Sequence, residues 1–287
     1  MPAVSRPLIL DGAMGTQLME RGLKLPLPLW SADLNITHPD DVADVHSSYV
    51  AAGADIITTN TFRTTTWSYR KAGFSQQTAN HRARESLMRA VESAQRSKAQ
   101  IIAGSITSVE DCYKPDLFPG KAVAEDTFGE MLLWFEESGI DLILFETMSH
   151  IDEIEIALSI SKDFNKVWLS LILESSDYLL SGHSVKDVFQ FSNNTLECIM
   201  LNCNTLSRSS ECFYNFKNLS EFKWGIYPNL GESDPEIDGK IDRMNSDKMF
   251  EESIVKYLNE RPFVVGSCCG SSPKHTKIIK RIVDEIN

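Results

Sequence analysis

A chain of 287 residues buries a core large enough for one α/β barrel or for two smaller domains. Its formal net charge of −12 at pH 7, with no lysine- or arginine-rich block, argues against nucleic acid or an anionic membrane surface as partner, because both need an electropositive face. No apolar run reaches transmembrane length, the start "MPAVSRPLILDGAM" lacks the apolar stretch of a signal peptide, and six cysteines do not make a disulfide framework, so a reducing, cytoplasmic compartment is expected.

Short runs rich in β-branched residues recur along the chain. In order they are "LILDGAM" (8–14), "ADIITTNTF" (54–62), "AQIIAGSIT" (99–107), "IDLILFET" (140–147), "KVWLSLIL" (166–173), "LECIMLNCN" (196–204), "KWGIYPNL" (223–230) and "FVVGSCCG" (263–270). Most are continuously apolar, as parallel strands covered on both faces require. Segments of helical period lie between them. "HPDDVADVHSSYVAAG" puts Val42, Val45, Tyr49 and Ala52 on one stripe and stops at Gly53. "SHIDEIEIALSISKDF" opens with Ser149 as expected N-cap and turns Ile151, Ile154 and Leu158 inward, and "SPKHTKIIKRIVDEI" has Pro273 in its first turn. The fifth unit, "ESSDYLLSGHSVKDVFQF", spends many residues in loop. This alternation predicts a single (β/α)8 barrel over residues 1–287. A doubly wound sheet is the runner-up, but "DGAMGTQL" matches the dinucleotide turn poorly.

The active site of such a barrel forms at the C-terminal ends of its strands. There the sequence offers Asp11, Thr59 and Asn60, Ser105, Glu146, Asn202 and Cys203, Asn229, and the vicinal pair Cys268 and Cys269. Neighbours on a strand point to opposite faces, so the pair can converge only if the chain bends, which Gly266 and Gly270 permit. Alone the pair reads as buried or redox thiols; with Cys203 on the same rim, three thiolates with an open fourth position fit a catalytic zinc site, one ion per chain. Cys112, Cys198 and Cys212 read as small buried hydrophobes. A competing reading makes "GSSP" a phosphate site at a helix start, although no lysine or arginine stands at these rim positions.

Taken together and in this order, "ILDGAMGTQLMERG", "PLWS", "HSSYVAAGADIITTNTFRT", "LILFETM", "LNCNT", "YPNLGE" and "VVGSCCGSSPKH" resemble the homocysteine S-methyltransferases, barrel enzymes related to the homocysteine half of methionine synthase and to betaine–homocysteine methyltransferase. The resemblance implies zinc held by Cys203, Cys268 and Cys269, and Asp11 and Glu146 receiving the amino group of homocysteine. It also implies methyl transfer to the homocysteine thiol, giving methionine. Ser267 stands where the family's final motif has a second glycine. Asn229 and Trp30 are read as facing the substrates, with the Trp30 ring against an onium methyl. The chain is too short to add folate and cobalamin domains, so the donor is expected to be a small onium compound, S-methylmethionine before S-adenosylmethionine or a betaine. A methyl-accepting subunit working with a corrinoid partner is the other reading. With no arm after the last helix, a monomer is expected.

Overall fold

The computed structural model describes residues 6–219, 221–236 and 239–286, and these form ten strands. They are β1 (Leu8–Ile9), β2 (Ile56–Thr58), β3 (Ile101–Thr107), β4 (Leu142–Met148), β5 (Lys166–Leu171), β6 (Leu173–Ser175), β7 (Tyr178–Leu179), β8 (Leu196–Asn202), β9 (Lys223–Tyr227) and β10 (Val264–Val265). Eight of them make one parallel sheet in the order β1-β10-β9-β8-β5-β4-β3-β2. A parallel bridge from Leu10 to Ile56, and the Asp11 N–H donating to the Ile56 carbonyl at 3.0 Å, join β1 to β2. The sheet therefore closes on itself, as the (β/α)8 reading requires.

Two apolar layers follow from the strand alternation. Leu10, Ile56, Ala103, Leu144, Trp168, Met200, Tyr227 and Val264 form one cluster with members at all eight barrel strands, which places it in the barrel interior. Ile143 and Phe145, the alternate residues of β4, join the larger cluster shared with the helices. The helix Pro39–Ala51 buries Val42, Val45 and Tyr49 completely, and Gly53 at φ +106° takes the left-handed turn that ends it. Pro273 opens the helix Pro273–Ile286.

Three local expectations are corrected. Strands β1, β2, β9 and β10 are shorter than their apolar runs, and at β2 a rim side chain takes over a ladder bond. There the Thr58 N–H donates to the Asp11 carboxylate at 3.0 Å. The helix Ile151–Ile160 is capped by His150, whose Nδ1 accepts from the Asp152 N–H at 3.2 Å, whereas Ser149 is buried. The fifth loop contains the antiparallel hairpin β6–β7.

Candidate active site and metal centre

Cys203 follows β8 directly, with its backbone at φ +52°, a conformation that side chains rarely adopt. Five bonds hold it there or brace its surroundings. The Cys203 N–H donates to the Tyr227 carbonyl at 3.2 Å, and the Cys203 carbonyl accepts from the Tyr113 hydroxyl at 3.0 Å and from Asn229 Nδ2 at 2.9 Å. The Cys268 N–H donates to the Pro228 carbonyl at 2.8 Å, and the Leu230 N–H to the Cys269 carbonyl at 2.9 Å. The "YPNL" loop after β9 thus fastens both cysteine loops at once.

The vicinal pair lies beyond the end of β10, outside the ladder that would send its side chains apart. All three sulfurs lie within 4.8 Å of one another, and those of Cys268 and Cys269 are 4.0 Å apart. Thiolates bound at ~2.3 Å to a tetrahedral zinc stand roughly 3.8 Å apart, close to the spacing of the Cys268 and Cys269 sulfurs. Cys203 and Cys268 are joined here as a disulfide and Cys269 is free, so only the reduced set could offer three thiolates to a metal. Burial, and then the nearby Glu146 carboxyl, push the Cys269 thiol up to about 11, so without a cation beside it this group keeps its proton. Cys198 and Cys212 are fully buried and Cys112 nearly so, as expected of packed thiols.

Asp11 and Glu146 open onto the same cavity as the three cysteines, a space of about 380 Å³. Asp11 is buried and accepts from the Thr58 N–H at 3.0 Å and from the Thr58 hydroxyl at 3.1 Å. Glu146 is half-buried and accepts from the Ser105 hydroxyl and, at 3.2 Å, from the Tyr227 hydroxyl. Burial raises both carboxyls above their ordinary range, Asp11 strongly, and Glu146 pushes Asp11 further. These hydrogen bonds do not offset the loss of water. An ammonium ion placed between two such acids supplies the missing counter-charge and returns them to the ionised form.

Trp30 lines this cavity. Its indole is wedged so tightly that a Cβ built on Gly15 falls 2.9 Å from Nε1 and one on Gly239 falls 2.0 Å from Cη2. Phe62 meets it edge-on at 6.4 Å between centroids. Asn229 is a correction: it is fully buried and absent from the cavity wall, because its amide is already engaged, Nδ2 to the Cys203 carbonyl and Oδ1 by the Gly231 N–H at 2.9 Å. It braces the Cys203 loop and does not line the cavity. Ser267 is buried beside the cysteines, with its hydroxyl unpartnered among the described residues.

The phosphate reading loses its donors. Gly270 N–H is given to Thr16 Oγ1 at 3.1 Å, Ser271 N–H to the Cys268 carbonyl at 3.1 Å and Ser272 N–H to His275 Nδ1 at 3.1 Å. Rim-position reasoning missed Tyr113, which arrives from the third loop, and Arg63, whose guanidinium lines the cavity. Tyr113 sits beside Cys112 in the sequence, and nothing in that stretch marks it. Arg63 stood in the quoted "TTNTFRT" as the one cation near a strand end. Among the described residues no helix is long and apolar enough to cross a membrane.

Known proteins agree with this geometry. Homocysteine S-methyltransferase 3 of Zea mays is 25% identical, with 97% of this chain and 90% of the relative aligned. Homocysteine S-methyltransferase 1 of Arabidopsis thaliana is 26% identical, over 95% of this chain and 92% of its own. The fold matches the crystal structures of the homocysteine methyltransferase MmuM from Escherichia coli. Its oxidized form has a TM-score of 0.83 at 21% identity, covering 96% of this chain and 95% of that one. Its metallated form has a TM-score of 0.82 at 21% identity, covering 96% of each. The homocysteine S-methyltransferase family profile matches residues 8–283, and with a match over nearly its whole length the chain belongs to that family.

Proposed function

We propose that the protein transfers a methyl group from a small onium donor, S-methylmethionine before others, to the thiol of homocysteine, giving methionine, with one zinc ion held by Cys203, Cys268 and Cys269. The observation that carries the reading is the convergence of three sulfurs, within 4.8 Å of one another, on the cavity that also holds the acids Asp11 and Glu146. A thiol and an ammonium group on one small molecule match those two features together.

Zinc bound by the three thiolates supplies a deprotonated and oriented substrate sulfur at neutral pH. Asp11 and Glu146 take the substrate ammonium in charge-assisted hydrogen bonds, fixing the amino-acid end so that the sulfur faces outward toward the donor. Ser105, Thr58 and Tyr227 hold the two carboxylates in place. The homocysteine sulfur lone pair forms the new S–CH3 bond while the donor's bond to that methyl breaks. The released electron pair stays on the donor heteroatom, which leaves neutral. Positive and negative charge cancel in this step, so a cavity walled by Trp30 and Phe62 suits it better than bulk water does. Trp30 and Phe62 on the wall of the same cavity support a small donor that binds there directly, without a folate domain or a corrinoid partner.

The test is the reduced, zinc-loaded protein with homocysteine and a panel of donors. Methionine forms fastest from S-methylmethionine, more slowly from S-adenosylmethionine, and not from methyltetrahydrofolate alone. Cys203→Ser, Cys268→Ser and Cys269→Ser each lose most of the zinc, and chelation stops turnover while circular dichroism still shows a folded barrel. Turnover with methyltetrahydrofolate alone, or full zinc content in Cys203→Ser, refutes the reading.

A further inference from the structure

The outer wall of the cavity holds a cation that neither the cysteines nor the acid pair uses. Arg63 follows Phe62 on the loop after β2, with its backbone in the left-handed region at φ +63°. Its guanidinium lies over the Phe62 ring at 5.3 Å, and Phe62 in turn meets Trp30, so aromatic wall and cation stand in a row along the cavity. The side chain is only 10% exposed, yet its donors are scarcely used. Nη1 reaches the Val109 carbonyl at 3.5 Å and Glu110 Oε2 at 3.4 Å, both long contacts, and buried Nε has no partner among the described residues.

Glu110 is not a dedicated counter-ion for this arginine. Lys71 Nζ holds its two oxygens at 2.6 and 2.8 Å, and Trp67 Nε1 donates to one of them at 2.7 Å. A buried guanidinium with unspent N–H groups is costly, and the anion that matches its planar fork is a carboxylate taken by two parallel bonds.

We infer that Arg63 receives the carboxylate of the methyl donor, so that the donor is a carboxylate-bearing onium compound and not a simple alkyl sulfonium. This rests on the onium-donor reading above and narrows it. The sulfonium lies against Trp30, and the short aliphatic chain of S-methylmethionine carries its carboxylate along the Phe62 ring to the guanidinium. Homocysteine, with sulfur at the cysteines and ammonium at Asp11 and Glu146, occupies the inner end.

The experiment compares kcat/KM for S-methylmethionine with that for (3-aminopropyl)dimethylsulfonium, the same sulfonium without its carboxylate, in the wild type, Arg63→Ala and Arg63→Lys at saturating homocysteine. The wild type prefers S-methylmethionine by about 30-fold or more, the range for removing one partner of a desolvated charge pair. In Arg63→Ala the ratio falls close to one, Arg63→Lys recovers part of it, and the homocysteine KM stays put. Glycine betaine as a further donor separates the two carboxylate sources. Turnover that depends on Arg63 extends the site to carboxylate-bearing ammonium donors, and no turnover restricts it to amino-acid sulfoniums. A preference that survives in Arg63→Ala, no preference in the wild type, or a raised homocysteine KM in its place overturns the assignment. If no onium donor at all is used by the wild type, the donor reading falls and this inference falls with it.

Discussion

Asn229 Nδ2 donates to the Cys203 carbonyl at 2.9 Å, so a residue of one rim loop sets the backbone of a proposed metal ligand in another. Since Cys203 is held at φ +52°, that bond helps keep its sulfur turned toward Cys268 and Cys269. Replacing Asn229 by Ala leaves the carbonyl only its bond from Tyr113 and the Gly231 N–H without its acceptor. Zinc affinity, measured by competition with a chromophoric chelator, is expected to fall about 10–100-fold, the range for removing a group that orients a ligand. An unchanged affinity would show that Tyr113 alone suffices to hold the loop.

Asp11 and Glu146 are raised by burial, and a substrate ammonium lowers them again. Binding therefore releases protons, and homocysteine affinity weakens as pH falls through the raised values, where both acids hold protons and offer no charge. A thiol-free analogue, 2-aminobutyrate, isolates this from thiol ionisation; calorimetry in buffers of different ionisation enthalpy counts the protons. Glu146→Gln and Asp11→Asn are expected to cost about 2–5 kcal/mol of homocysteine affinity while zinc content holds. Normal homocysteine binding by both variants would mean that the ammonium goes elsewhere.

Trp30 has a steric partner that tests it from outside. Gly239→Ala introduces a methyl where the indole already is, and at φ +73° the new side chain is strained in any case. Trp30→Ala is expected to weaken donor use by roughly 0.5–2 kcal/mol, the worth of an aromatic face against a cation, with homocysteine binding spared. Gly239→Ala should reproduce that pattern by displacing the ring. Donor kinetics unaffected in Trp30→Ala would return the ring to a packing role.

Glu153 governs the third loop from below. It is buried, its carboxyl accepts from the Val109 N–H at 2.8 Å, and burial pushes it up to about 7. Raised above its unfolded value, the group contributes stability that is fully present below about pH 4.5 and is lost as pH rises through about 7. Glu153→Gln is neutral throughout, so its stability relative to the wild type should improve by about 3 kcal/mol between pH 4 and pH 8, measured by urea unfolding. A pH-independent difference would show that Glu153 keeps its ordinary titration.

The barrel and the convergence of Cys203 with the vicinal pair were legible because both follow from where strands end. Position along a strand says that a residue reaches the rim; it does not say which way its polar end turns. That is why Asn229, read as facing substrate, proved to be spent on a backbone carbonyl, and why the N-cap shifted from Ser149 to His150. Tyr113 escaped notice for the converse reason: it comes from within a loop, where no periodicity marks it. Arg63 was passed over because attention to strand-end residues stops just short of it.

The seam between β1 and β2 carries a consequence for synthesis. β1 pairs with β10, which is made more than two hundred residues later, and Asp11, bound to Thr58, sits on that seam. On the ribosome the amino-terminal strands emerge first and must wait for the far end of the barrel before the ring can shut. Cys203 likewise waits for Cys268 and Cys269. A nascent chain thus holds none of the three thiols until Cys203 is made and all three only after Cys269, so the three-sulfur cluster can assemble only near the end of synthesis.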